Sequence, residues 1–135
     1  MDVKKGFIVK LPFALDLCGL TDNDKTVEYR AKPCGWLNEK RLLCASDPAG
    51  KIPTFAVAII SFNKSVFCEK KRVWEWHLET EKTFDLVKPF AISSKRHSSN
   101  FALSDEDLAK IEVIPDTAGI DEIDEIYDEF YGRII

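Results

Sequence analysis

The sequence predicts an α+β protein: a small antiparallel β-sheet or barrel of about six strands over residues 6–93, followed by two C-terminal helices at about 104–112 and 120–131. Three observations support this. Short β-rich segments recur through the first ninety residues, separated by turn chemistry. The period then changes to that of a helix near Ser104. Charge changes with it: residues 1–100 carry 17 Lys/Arg against 12 Asp/Glu, and residues 101–135 carry 2 against 11.

The strands read in order as GFIVKLPF (6–13), TVEYRA (26–31), RLLCA (41–45), TFAVAIISF (54–62), RVWEWHLE (72–79) and FDLVKPFAIS (84–93). TDNDK (21–25), SDPAGK (46–51), NKS (63–65) and ETEK (79–82) supply the turns. Pro12 and Pro89 are expected at edges or strand ends, because proline donates nothing to a ladder. In LSDEDLAKI, Ser104 is the expected N-cap, with Asp107 completing a capping box. Asp105 and Glu106 suit the positive end of the helix. Pro115 forbids its continuation.

The segment 116–135, DTAGIDEIDEIYDEFYGRII, resolves on a helical wheel at ~100° per residue. Ile120, Ile123, Ile126, Tyr127, Phe130, Tyr131 and Ile134 fall on one side. Asp121, Glu122, Asp124, Glu125, Asp128 and Glu129 fall on the other. The segment is therefore an amphipathic helix with Gly132 as its expected C-cap. Its apolar face must bury against the sheet or a partner.

With 135 residues, 45% apolar and 31% charged, the chain reads as one globular domain able to bury a core without disulfide or metal. No apolar run reaches the ~20 residues of a membrane helix. Lys10, Pro12 and Asp16 break the N-terminal apolar run before it reads as a signal peptide. Cys18, Cys34, Cys44 and Cys68 lack metal-ligand or disulfide-framework spacing, and read as reduced thiols of a cytoplasmic protein. The sequence calls for no metal and no cofactor.

Three stretches carry candidate chemistry. The six carboxylates of the last helix form a surface suited to a basic partner, with Tyr127 and Tyr131 as aromatic anchors. The competing reading is a solvated face that aids solubility. In VWEWHLE, strand alternation puts Glu75, His77 and Glu79 on one face, opposite Trp74, Trp76 and Leu78. Such a face could hold a metal or pair a general base with an acid, and its bland alternative is a polar surface over two core tryptophans. In SSKRHSSN, Lys95, Arg96 and His97 form a basic loop able to meet phosphate, or simply a connecting loop. CEKKRVWEW sets Lys70, Lys71 and Arg72 beside tryptophans, a pattern of single-strand nucleic-acid surfaces, against which the net charge of −4 argues.

Two segments resemble parts of the MazF/PemK-type toxins. IPTFAVAIISFN (52–63) is similar to their R-P-a-l-V-v-S-…-F-N strand and turn. VKPFAISSKRHSSNFALSDEDLAKI (87–111) is similar to their late strand, basic linker and short helix, and residues 6–13 stand where their opening G-D-I-V strand would be. The resemblance covers about a third of the chain and implies an SH3-like barrel that cuts RNA. Ile52 occupies the position of the family's catalytic arginine, Thr80 corresponds loosely to its Thr/Ser, and residues 14–51 have no counterpart.

The expectation from these readings is a small protein-binding inhibitor. By physical type it resembles an immunity protein or antitoxin that neutralises a nuclease toxin through the acidic helix. Two alternatives stand beside it. One is a metal-independent endoribonuclease using His77 or Glu75 as base and Lys95 and Arg96 on the phosphate, which would make direct nucleic-acid contact. The other is a phage-type anti-defence factor whose acidic helix mimics a nucleic acid. A further reading of the charge split has the acidic helix folding back on Lys70–Arg72 and Lys95–His97.

Overall fold

The computed structural model describes residues 3–21, 23, 25–78 and 84–134, Phe84 by its backbone alone. Its elements are β1 (Lys5–Lys10), α1 (Phe13–Leu17), β2 (Val27–Arg30), β3 (Arg41–Ser46), β4 (Phe55–Ile60), β5 (Phe62–Cys68), β6 (Val73–Leu78), β7 (Phe84–Leu86), β8 (Asn100–Ala102), α2 (Asp105–Lys110) and α3 (Ile120–Ile134). The α+β class is as expected. The strands form two sheets, one ordered β7-β4-β3-β1-β8 and one ordered β2-β6-β5, and no closed barrel forms among the described residues.

The larger sheet is not wholly antiparallel. β1 runs parallel to β3, with Gly6 opposite Leu42 and Lys10 opposite Ser46. A parallel pair needs a crossover of a dozen residues or more. The segment between β1 and β3 supplies it, carrying α1 and β2. The sequence pattern places Phe13 at the end of a strand. The chain instead turns after Lys10 into the short α1, whose Ala14 and Leu17 are buried.

β3 and β4 form the centre of the sheet. Every residue of FAVAII is buried, and so is every residue of RLLCA. Such uninterrupted apolar runs belong to strands covered on both faces. One face presents Phe7, Val9, Leu43, Ala45, Phe55 and Val57 to the smaller sheet, α1 and α3. The other presents Leu42, Cys44, Ala56 and Ile59 to Val87, Ile92, Phe101, Leu103 and the Leu108 side of α2.

The expected strand 54–62 is divided at Ser61, where the chain leaves the larger sheet and enters the smaller. Asn63, Lys64 and Ser65, read as a turn, lie inside β5, where Lys64 and Ser65 pair with β6 and Asn63 forms a bulge in the ladder. Local turn propensity loses here to ladder formation and to a tertiary bond from the Cys34 amide to the Ser65 hydroxyl at 2.8 Å. The two sheets are joined by four mutually packed aromatics. Trp76 stacks 5.5 Å from Phe7, and Trp36 and Phe62 meet both of them edge-on. Each such pair adds about 0.5–1.5 kcal/mol beyond the area it buries. The Trp76 indole N–H donates to the Lys32 carbonyl at 2.8 Å.

The expected strand 84–93 shrinks to β7, because Pro89 interrupts the ladder. Past it, Val87 and Ala91 make only isolated bridges to Val113 and Phe55. α2 begins at the predicted cap, with Ser104 Oγ accepting from the Asp107 amide at 3.2 Å. α3 runs through Gly132, the expected cap, to Ile134. Packing of Ile134 against the core carries the helix past its glycine.

An outward acidic helix and a divided set of basic residues

α3 docks through the stripe its sequence marks. Tyr127 and Phe130 are buried, and Ile123, Tyr131 and Ile134 pack partly buried against the same core. Phe130 lies 5.1 Å from the Phe55 ring, and Tyr131 meets Phe55 edge-on at 5.9 Å. Ile120, assigned to the apolar side, is instead 79% exposed, because it begins the helix beyond the edge of the core.

This docking removes Tyr127 as an anchor for a partner. Its ring is buried, its hydroxyl has no hydrogen-bond partner among the described residues, and burial beside the Cys18 thiol pushes that hydroxyl well above its ordinary pKa. Tyr131 is half-buried and also raised by burial. A helix whose carboxylates face outward must turn its aromatic stripe inward. The two roles assigned to one helix are therefore exclusive.

Asp121, Glu122, Asp124, Glu125, Asp128 and Glu129 are all exposed, and none enters an ion pair among the described residues. The ion pairs found there join Lys25 and Arg30 to Glu28, Arg41 to Glu39, His77 to Glu75, Lys88 to Glu112 and Lys110 to Glu106. The acidic helix therefore makes no clamp on Lys70–Arg72 or Lys95–His97 in this structure.

Beside α3 runs an open groove of about 590 Å³, walled by Glu122, Glu125, Ile126 and Glu129 on the helix and by Glu112, Val113 and Pro115 opposite. Lys88 stands in it, paired with Glu112. Glu112 raises the Lys88 amine above the usual lysine range, by its hydrogen bond first and its charge second, and Glu122 and Glu129 add to the effect. The groove is a region of negative potential around a single lysine.

The residues considered for catalysis are only partly assembled. Glu75 and His77 share the outer face of β6, 3.3 Å apart and each about one-quarter exposed. Trp76 faces inward, and Trp74 and Leu78 pack at the margin of the core, as alternation predicts. Glu79 and Thr80 lie outside the described residues. Lys95 and Arg96 sit on the exposed loop before β8, where Arg96 donates to the Ser94 carbonyl at 3.1 Å. No hydrogen bond or ion pair among the described residues joins this loop to the Glu75–His77 pair. Ile52, which the resemblance would set at the toxins' catalytic arginine, packs half-buried against the core.

Lys71, read from the sequence as lying beside tryptophans, instead joins a cluster with Phe13, Lys25 and Tyr29, which the sequence pattern does not mark. Lys25, ahead of β2, lies 5.4 Å from the Phe13 ring centre and 5.2 Å from that of Tyr29. Lys71, in the β5–β6 turn, lies 4.2 Å from Tyr29. The contact spans forty-two positions of sequence, and the only local hint is an aromatic on the solvent side of a short strand.

The fold and site define a two-sheet α+β protein with an outward acidic helix. Comparison with family models, with curated proteins and with solved structures finds no match.

Proposed function

We propose that this protein is a small protein-binding inhibitor, of the immunity-protein or antitoxin kind, that neutralises a nuclease toxin through the acidic face of α3. One observation carries the reading. α3 is anchored by Phe130 and Tyr127, and all six of its carboxylates are left exposed without an ion-pair partner among the described residues. Like charges at i,i+3 and i,i+4 work against the helix by a few tenths of a kcal/mol per pair. A surface that costs stability and forms no ion pair among the described residues suits an external basic cleft, where it would steer association and be weakened by salt. The groove beside Lys88 offers such a partner a recess for a basic side chain.

The Glu75–His77 pair favours a second reading, a metal-independent endoribonuclease, with Lys95 and Arg96 on the phosphate. A nucleic-acid mimic directed at a defence protein differs from the first reading only in its target.

The test is a low-salt pull-down from the native host with wild type beside a variant carrying Asp121→Lys, Glu122→Lys, Asp124→Lys and Glu125→Lys. The inhibitor reading expects a basic nuclease retained by wild type, lost from the folded variant, and inhibited by purified wild type. Retention by both proteins counts against the α3 face. RNA cleavage by the pure protein, abolished in His77→Ala, would establish the second reading instead.

A further inference from the structure

Aromatic rings and lysines alternate along the β2 side of the smaller sheet. Phe13, Lys25, Tyr29 and Lys71 follow one another as a ladder, with ammonium-to-ring distances of 5.4, 5.2 and 4.2 Å. The four come from α1, the segment before β2, β2 itself and the β5–β6 turn, so only the tertiary fold brings them together. Phe13 is 50% exposed and Tyr29 40%, large values for rings that a core would normally take up. β2 is an outer strand of its sheet. Lys70 and Arg72 flank Lys71 on the exposed turn. Among the described carboxylates nearby, Glu28 is buried against Lys25 and Arg30, Glu75 lies against His77, and Glu69 is exposed on the same turn as Lys71.

We propose that this ladder binds single-stranded nucleic acid, with bases stacking on Tyr29 and Phe13 while Lys71, with Lys70 and Arg72 beside it, meets the flanking phosphates and Lys25 stays on Glu28. Every base offers a π-face, so an exposed ring beside a cation recognises an unpaired strand without reading its sequence. A duplex hides those faces. A lysine resting on an exposed ring gives way to a base, because the exposed cation–π contact is the weaker of the two. The displaced ammonium then lies where a phosphate follows. Lys25 and Tyr29 fall in the stretch 14–51, and the surface is separate from the carboxylates of α3, so it does not depend on the inhibitor reading.

The test uses the full chain and fluorescence anisotropy of labelled oligothymidine, oligouridine and a blunt duplex, each of about 12 nucleotides. At about 50 mM salt the expected result is saturable binding to a single strand, tighter than to the duplex, weakening steeply toward about 200 mM. Binding to either single strand supports the surface, and the stronger arm tells RNA from DNA. Tyr29→Leu, which keeps apolar bulk but removes the π-face, should lose roughly tenfold in affinity with an unchanged thermal midpoint. Lys71→Gln should flatten the salt dependence. The charge-reversed α3 variant should bind no more weakly than wild type. Absence of saturable binding, a duplex bound as tightly as the single strand, or a Tyr29→Leu protein that binds like wild type would overturn the proposal.

Discussion

Asp107 reaches back thirteen residues to Ser94, accepting from its amide at 2.8 Å and from its hydroxyl as well. The carboxylate also accepts from the Ser93 amide at 3.1 Å and the Ser93 hydroxyl at 2.9 Å. Its own amide is capped by Ser104, whose backbone N–H donates not to Asp107 but to Ser94 Oγ at 2.8 Å. The capping box read from Ser104 and Asp107 is thus half-formed. Its carboxylate pins the basic loop to the start of α2, on the far side of the larger sheet from α3.

Asp107 makes stability acid-sensitive. Burial alone would raise its pKa, but the hydrogen bonds from Ser94 and Ser93 outweigh burial and hold it below the ordinary aspartate value. A depressed folded pKa contributes stability that is fully present above the unfolded value of about 3.9 and is lost as pH falls through the folded one. Asp107→Asn should cost about 1–3 kcal/mol at neutral pH. The difference in thermal midpoint between wild type and variant should shrink below about pH 4. A difference constant from neutral pH down to acid would refute the assignment.

Gly6 is required by its neighbour on β8. A Cβ at Gly6 would lie 2.3 Å from the tip of the Phe101 ring, directly opposite in the β1–β8 pairing. Gly6→Ala should destabilise by about 1–3 kcal/mol through overpacking. In a double-mutant cycle with Phe101→Leu, the combined cost should fall short of additive, since the smaller side chain leaves room for the methyl. Chemical denaturation of the four proteins measures this.

α3 should separate into an energetic face and a silent one. Phe130→Ala removes a buried ring against Phe55 and should cost roughly 3–5 kcal/mol. The four-fold lysine variant of α3 alters only exposed groups, and should stay within about 1 kcal/mol of wild type. A large loss in that variant would refute the assignment of these carboxylates to a silent face.

The cysteines should differ in reactivity. Cys18 and Cys44 are buried, and burial pushes both thiols far up, as it does Cys34 to a lesser degree. Cys68 is half-buried at the end of β5. An aromatic disulfide reagent should therefore titrate one fast thiol in the native protein, absent from Cys68→Ser, with the other three reacting only on unfolding.

Periodicity carried the reading of this fold furthest where one element buries one face. The wheel of residues 120–134 separates Phe130 from Glu129, and the structure places them inside and outside accordingly. Alternation in VWEWHL put Trp76 inward and paired Glu75 with His77. Where partners decide the outcome, local pattern misled. Asn-Lys-Ser reads as a turn until β6 pairs with its Lys64 and Ser65, and Phe13 reads as strand until the crossover to β3 bends the chain into α1.

The sequence alone determined the α+β class, a strand at FAVAII, the start of α2 at Ser104, and the inward and outward faces of α3. These follow from apolar spacing and capping within a few turns or strand residues. Tertiary structure decided the parallel pairing of β1 with β3, the change of sheet at Ser61, the tie between Asp107 and Ser94, and the ladder from Phe13 to Lys71. Each joins residues far apart in the chain. Their energies come from contacts that form only once the core has set the distance between elements, and no local window contains both partners.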